Sequence, residues 1–145
     1  MSGRVVYEYA LLQVVPRIDR GECVNAGVLL HCRRLDVLAV RVHLDRARLA
    51  ALDPHCDADA VDDALATIAA VAGVPEPPRS DRHATGALAA RGPGAGEDIG
   101  RRFRRLTTAR STVVRPGPVH TGLTADPRSE ADRLLTRLVL PPAPR

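Results

Sequence analysis

The sequence predicts an α+β fold, with an antiparallel sheet of about four strands packed with helices. Strand-like apolar runs come first, between residues 5 and 44, and segments with helical periodicity follow them. One further strand-like run, "STVV", lies late in the chain at residues 111–114. Short turn sequences separate the first three runs, which indicates a three-stranded antiparallel meander.

The first predicted strand, "VVYEYALLQVV", spans residues 5–15 and ends at Pro16. Both of its faces are largely apolar, so we expect it to be central in the sheet and covered on each side. The turn "RIDRGE" leads to the second strand, "CVNAGVLLHC", where Asn25 and Gly27 indicate a bulge or a close approach of another backbone. The run "VLAVRVHL" forms the third strand.

Capping residues mark three of the four predicted helices. Asp45 is a suitable N-cap for "RARLAALD", and Asp57 or Asp59 for a second helix that ends at Gly73. The Asp-Pro pair at 126–127 predicts the start of the closing helix, "RSEADRLLTRLVL", because proline is favoured at the first helical position.

The length of 145 residues predicts a single domain over 1–145. Proline and glycine crowd residues 74–98, which we expect to form a surface excursion, and residues 141–145 should be a frayed tail. The chain has no signal-peptide pattern and no apolar run long enough to cross a membrane, so we expect a bacterial cytoplasmic protein.

The formal net charge of +4 raises the possibility of nucleic-acid binding, with the arginine-rich helix at 99–106 as the candidate surface. In this helix Ile99, Phe103 and Leu106 form an apolar stripe, and arginines occupy positions 101, 102, 104 and 105. All basic residues are arginine and aromatic residues make up only 2% of the chain, so base stacking has little support. A solvated helix face is the simpler interpretation, and nucleic-acid binding is the third of three functions considered.

No metal or cofactor site is predicted. The chain contains His31, Cys32, His43, His55 and Cys56, but none of them falls in a recognised metal-binding spacing. Phosphate-binding glycine loops of the nucleotide-binding folds are absent from the sequence, and the three cysteines form no C-x-x-C pair.

His120 is the best candidate for proton transfer, because imidazole titrates near neutral pH. A serine hydrolase built from Ser111, His120 and Asp126 lacks its usual sequence signature, since no G-x-S-x-G surrounds the serine. Within the first hairpin, Arg17, Glu22 and Asn25 lie around one turn, where they either fix the hairpin or line a pocket.

Three blocks in order, "YEYALLQVVPRIDRGECVNAGVLLHC", "LDRARLAALDP" and "ARSTVVRPGPVHTGL", resemble the bacterial family catalogued as domain of unknown function 3037. The resemblance names no activity, and it suggests an accessory role beside a kinase of the HipA-like type. The family's motif positions correspond here to Tyr7, Glu8, Tyr9, Arg17, Glu22, Asn25, Gly27, Arg110, Ser111, His120, Thr121 and Gly122.

We therefore expect the hairpin and the late block to meet on one face of the sheet. The candidate functional surface comprises Arg17, Glu22, Asn25, Arg110, Ser111, His120 and Thr121. A non-enzymatic protein that binds a partner is the preferred function. The alternative is a small enzyme or anion-binding protein, with His120 as acid or base and Arg17 or Arg110 as the anion clamp.

Overall fold

The computed structural model describes residues 3–73, 98–108 and 113–144, and these ranges contain one five-stranded antiparallel sheet with helices on both faces. The α+β prediction is confirmed. The strands are β1 (Val5–Val14), β2 (Val24–Cys32), β3 (Val37–Val42), β4 (Val114–Pro116) and β5 (His120–Thr124). The helices are α1 (Arg46–Leu52), α2 (Ala58–Ala72), α3 (Ile99–Thr108) and α4 (Pro127–Leu134), which a π turn (Leu135–Val139) continues.

The sheet has the order β3-β2-β1-β4, and β5 pairs with the other half of β1. β4 lies against residues 12–14 of β1, whereas β5 lies against residues 5–9. The late part of the chain therefore contributes two short strands where the sequence predicted one. Pro116 and Pro118 lie at the break between the strands, where proline cannot donate a ladder hydrogen bond.

A β-bulge interrupts the pairing of β1 with β2, as the small residues of β2 predicted. Leu12 pairs with Gly27, but the next residue of β1 pairs with Asn25, so Ala26 is the extra residue. A Cβ atom at Gly27 would lie 2.8 Å from the backbone oxygen of Arg41 and 2.9 Å from Leu12 Cδ1. Both the bulge and the close backbone approach are confirmed.

Each face of the sheet has its own apolar core. Leu49 of α1, Leu65 of α2 and Phe103 of α3 pack on one face. Leu134 of α4 and Val139 of the π turn pack on the other. β1 contributes buried residues to both cores, so its predicted central position is confirmed.

The predicted caps form at all three helices. The side chain of Asp45 accepts a hydrogen bond from Arg48 N at 3.1 Å, and that of Asp57 accepts one from Ala60 N at 3.1 Å. Asp126 accepts hydrogen bonds from backbone N–H groups in the first turn of α4. Each carboxylate thereby satisfies an N–H group that has no partner within the helix.

The helix α3 differs from its prediction at one arginine. Arg102 is only 1% exposed and lies beside the buried Phe103, whereas Arg101, Arg104 and Arg105 are exposed. The prediction of a fully solvated arginine face is therefore wrong at position 102. The buried face of α3 includes this arginine as well as the apolar residues. No helix in the described ranges is long and apolar enough to cross a membrane.

Candidate functional site

His120 and Thr121 lie on the edge strand β5, at the end of the sheet away from the first hairpin. Their partners on β1 are Tyr9 and Glu8. The hairpin turn begins only after Val14, five residues further along β1. At about 3.3 Å per residue, His120 is separated from that end of the strand by about 17 Å.

The hairpin residues make their own local contacts. Arg17 pairs with Asp19 at 3.9 Å, and Arg20 pairs closely with Glu22. The prediction that the hairpin side chains lie beside His120 and Thr121 is therefore wrong. The strand that does come close to the hairpin is β4, through its pairing with residues 12–14 of β1. Arg110 and Ser111, the remaining members of the expected surface, lie outside the described residues.

Asn25 has a structural role. Its side-chain Nδ2 donates a hydrogen bond of 3.1 Å to the backbone oxygen of Leu138 in the π turn. Arg48 Nη1 donates another to the backbone oxygen of Val139 at 3.3 Å. Carbonyl groups at a helix end have no partner within the helix, so these two side chains satisfy them.

On the α4 side of the sheet, His120 borders a group of aromatic rings. Its ring centroid lies 5.2 Å from that of Tyr9, which is 6.0 Å from that of Tyr7. The hydroxyl of Tyr7 donates a hydrogen bond of 2.7 Å to Glu130 Oε1, and Arg133 pairs with the same carboxylate. The polar groups of Tyr7, Glu130 and Arg133 are all partnered within this network, so we call it closed.

Gly122 makes that network possible. It pairs with Tyr7 across the strands, and the Tyr7 ring lies directly over it. A Cβ atom at position 122 would lie 2.5 Å from the Tyr7 hydroxyl oxygen and 2.6 Å from Cζ. The glycine of the "HTGL" sequence is therefore explained by ring packing.

The opposite face at the same end of the sheet carries a row of polar side chains. Glu8 pairs with His31 on one side and with Thr121 on the other, so the three side chains share this face. Of the expected site residues, Thr121 is the one that lies in this row.

A cavity of about 570 Å³ opens at this row. It is lined by Arg4, Val5, Val6, Glu8, His31, Arg33 and Arg34, and we call it the arginine pocket. Three of its side chains are guanidinium groups, and all three arginines are exposed. Its volume is within the range of small-molecule sites.

His31 forms the buried part of the pocket. The residue is 6% exposed, and its ring centroid lies 5.4 Å from that of Phe103. Burial lowers the pKa of His31 below its ordinary value of 6.5, the carboxylates of Glu8 and Asp98 oppose this shift, and Arg104 adds to it. The imidazole is therefore uncharged near neutral pH, with one nitrogen able to donate and one able to accept a hydrogen bond.

Sequence reasoning considered His31 only as a metal ligand. In the described ranges, no group of three or more His, Cys, Asp or Glu side chains is placed to hold a metal ion. A signal that could have indicated the pocket is the spacing of His31 and Arg33, since two positions two residues apart share a face where β2 continues in extended form. The pairing of His31 with Glu8 was not predictable from the sequence. The bulge near Gly27 shifts the pairing of β2 with β1 by one residue.

The fold defines an α+β protein with one antiparallel sheet covered by helices on both faces. The model of the family described as "Protein of unknown function (DUF3037)" matches residues 9–139, and the chain belongs to this family. Neither a curated protein nor a solved structure matches the chain. His31, Arg33 and Arg34 lie within the matched range, and Arg4 and Glu8 precede it.

Proposed function

We propose that this protein is a bacterial cytosolic accessory protein without catalytic activity, which binds an extended segment of a partner protein along β5. A kinase of the HipA-like type is the first partner to test, since the family resemblance suggests it. The single observation that carries the proposal is the exposed outer edge of β5. We call the outer edge of β5, together with Val6 and Leu123, the edge site.

The backbone of β5 supports strand addition. β5 pairs with β1 along one side, and within the described part of the chain no strand pairs with its other side. Its sequence, "HTGLT", contains neither proline nor an Asp, Glu or Arg residue. Edge strands that avoid pairing usually carry such residues, so an unprotected edge favours a partner that adds a strand.

The side chains at this edge add an apolar contact. Leu123 and Val6 pair directly across β5 and β1, and each is 60% exposed. Adjacent exposed aliphatic side chains next to a free strand edge provide a contact for an apolar residue of the added segment. His120 stands on the opposite face of β5 and does not line the arginine pocket, so we do not base a proposal on the enzyme alternative.

The proposal is tested by measuring the affinity of the full chain for the HipA-like kinase of the same bacterium. Leu123→Glu places a charge at the apolar pair, and we expect it to weaken binding by about tenfold or more. Ile18→Glu is the matched control, because Ile18 is 65% exposed at the other end of the sheet. We expect this control to bind within about twofold of the wild type.

Hydrogen exchange gives a second measurement on the same complex. Those amide groups of residues 120–124 that point away from β1 should exchange more slowly when the partner is bound, because strand addition pairs them. Equal affinity of Leu123→Glu and wild type, with no slower exchange in β5, would show that the edge site is not the docking surface. If the wild type does not bind the kinase at all, that partner is wrong.

A further inference from the structure

We propose that the arginine pocket binds the phosphate group of a small phosphate monoester that also carries a hydroxyl group. This site is distinct in its chemistry from the edge site, with which it shares only Val6. Three features carry the inference: three arginines in one cavity lining, a buried imidazole in the same lining, and the carboxylate of Glu8, which pairs with that histidine across the strands.

The convergence of the arginines follows from the antiparallel pairing of β1 and β2. Arg4 directly precedes β1, and Arg33 and Arg34 directly follow β2, so the ends of the two strands bring them to one place. A tight turn fixes the last two, because Asp36 N donates a hydrogen bond of 3.2 Å to the Arg33 backbone oxygen. Asp36 itself adopts a φ of 56°, the left-handed conformation typical of turns.

The pocket carries an excess of positive charge, because three arginines and one carboxylate, that of Glu8, line it. Within the described ranges, no Asp or Glu side chain forms an ion pair with Arg4, Arg33 or Arg34. Several other arginines are paired, as in the 2.6 Å contact between Arg41 and Asp132. Guanidinium groups match phosphate oxygens with two parallel hydrogen bonds, so an anion with several oxygens is the complementary ligand.

The remaining residues that line the pocket indicate which chemical group the phosphate of the ligand is attached to. Val6 offers exposed apolar surface, and His31 offers a hydrogen bond without a charge near neutral pH. The carboxylate of Glu8 repels a second anionic group but accepts a hydrogen bond from a hydroxyl. A cavity of about 570 Å³ has room for more than a bare phosphate ion. Together these walls favour a hydroxylated phosphate monoester of the sugar phosphate or nucleoside monophosphate type.

The test is titration calorimetry of the full chain at low ionic strength with ribose 5-phosphate, inorganic phosphate and ribose as probes. We expect saturable binding of ribose 5-phosphate, weaker binding of inorganic phosphate, and no binding of ribose alone. Arg33→Gln with Arg34→Gln should weaken ribose 5-phosphate binding by about tenfold or more. The matched control is Arg115→Gln with Arg137→Gln, which removes the same charge from exposed positions outside the pocket, and it should bind within about twofold of wild type.

The Glu8→Gln variant tests whether the ligand hydroxyl group binds to the carboxylate of Glu8. Removing the carboxylate should strengthen the binding of inorganic phosphate and reduce the preference for ribose 5-phosphate. Equal losses in the two double variants would show a general charge effect and overturn the pocket as the site. Absence of saturable binding by the wild type would also overturn it, and equal affinity for both phosphate probes would contradict the hydroxyl requirement.

Discussion

At the start of β1, alternating residues of the same strands form the two faces of the sheet. The two faces differ in whether their polar side chains have hydrogen-bond or ion-pair partners. We call the side with Tyr7, Glu130 and Arg133 the closed face, and the side with Glu8 and His31 the open face. On the closed face the helix α4 supplies a carboxylate to the buried tyrosine hydroxyl. On the open face none of the helices in the described ranges contributes a residue to the lining of the arginine pocket.

This difference shows how structural and functional polar residues can be separated in this protein. Tyr7 and Glu8 are adjacent in the chain, and the sequence alone gives them equal weight. The structure assigns Tyr7 to a saturated network, where a substitution is expected to cost stability. Glu8 lines a cavity with three arginines that form no ion pair within the described ranges, and there we expect a substitution to change ligand binding and leave stability nearly unchanged.

The largest effect is expected at Gly122 on the closed face. Gly122→Ala places a Cβ within 2.8 Å of three Tyr7 ring and hydroxyl atoms, and the ring is 5% exposed and cannot move freely. We expect a loss of about 2 kcal/mol in the free energy of unfolding, measured by urea denaturation. Gly3→Ala is the control, because nothing lies within 4 Å of a Cβ at Gly3.

A double-mutant cycle shows whether the Tyr7 ring is the cause. In a Tyr7→Ala background the added methyl group meets no ring, so the cost of Gly122→Ala should largely disappear. A cost that stays the same in both backgrounds would show that Gly122 is required for its backbone conformation or for some other neighbour.

A smaller effect is expected when the ring is kept and only its hydroxyl is removed. Tyr7→Phe deletes the hydrogen bond to Glu130 and leaves that carboxylate paired with Arg133, so the expected loss is about 1 kcal/mol near neutral pH. Burial and then the hydrogen bond to Glu130 raise the pKa of Tyr7 from 10.0 to about 12.

This shift predicts a pH dependence with a definite sign. The folded state holds the Tyr7 proton more tightly than the unfolded chain, so its contribution is complete below pH 10 and is lost as pH rises from 10 towards 12. The stability difference between wild type and Tyr7→Phe, measured by urea denaturation across that window, should therefore shrink. Parallel curves through the window would contradict the raised pKa.

The elements that sequence reasoning predicted correctly are those with local signals. Asp45 and Asp57 cap helices through contacts three residues away, and Gly27 marks its bulge within its own strand. β5 was missed because its five residues contain a glycine and no clear alternation, and it forms only by pairing with β1, more than a hundred residues earlier in the chain.

The candidate site was missed for the same reason. The row of Thr121, Glu8 and His31 depends on two strand registers, one of which the bulge shifts. His120 drew attention because of its chemistry, but chemistry alone does not say which face of which strand a residue occupies. The burial of Arg102 was equally hidden, because an arginine in an amphipathic helix is normally assigned to the solvated side.

The smallest effect is expected on the open face, at the same arginines that bind phosphate in our proposal. Arg33→Gln with Arg34→Gln should change the free energy of unfolding by no more than about 0.5 kcal/mol, because both side chains are exposed and neither pairs with a described carboxylate. At low ionic strength the variant should be slightly more stable than the wild type, since mutual repulsion of the converging charges is reduced, and added salt should abolish that gain. Urea denaturation at two salt concentrations measures both quantities. A loss as large as that of Tyr7→Phe would mean that these arginines hold the fold together, and the distinction between a closed and an open face would then fail.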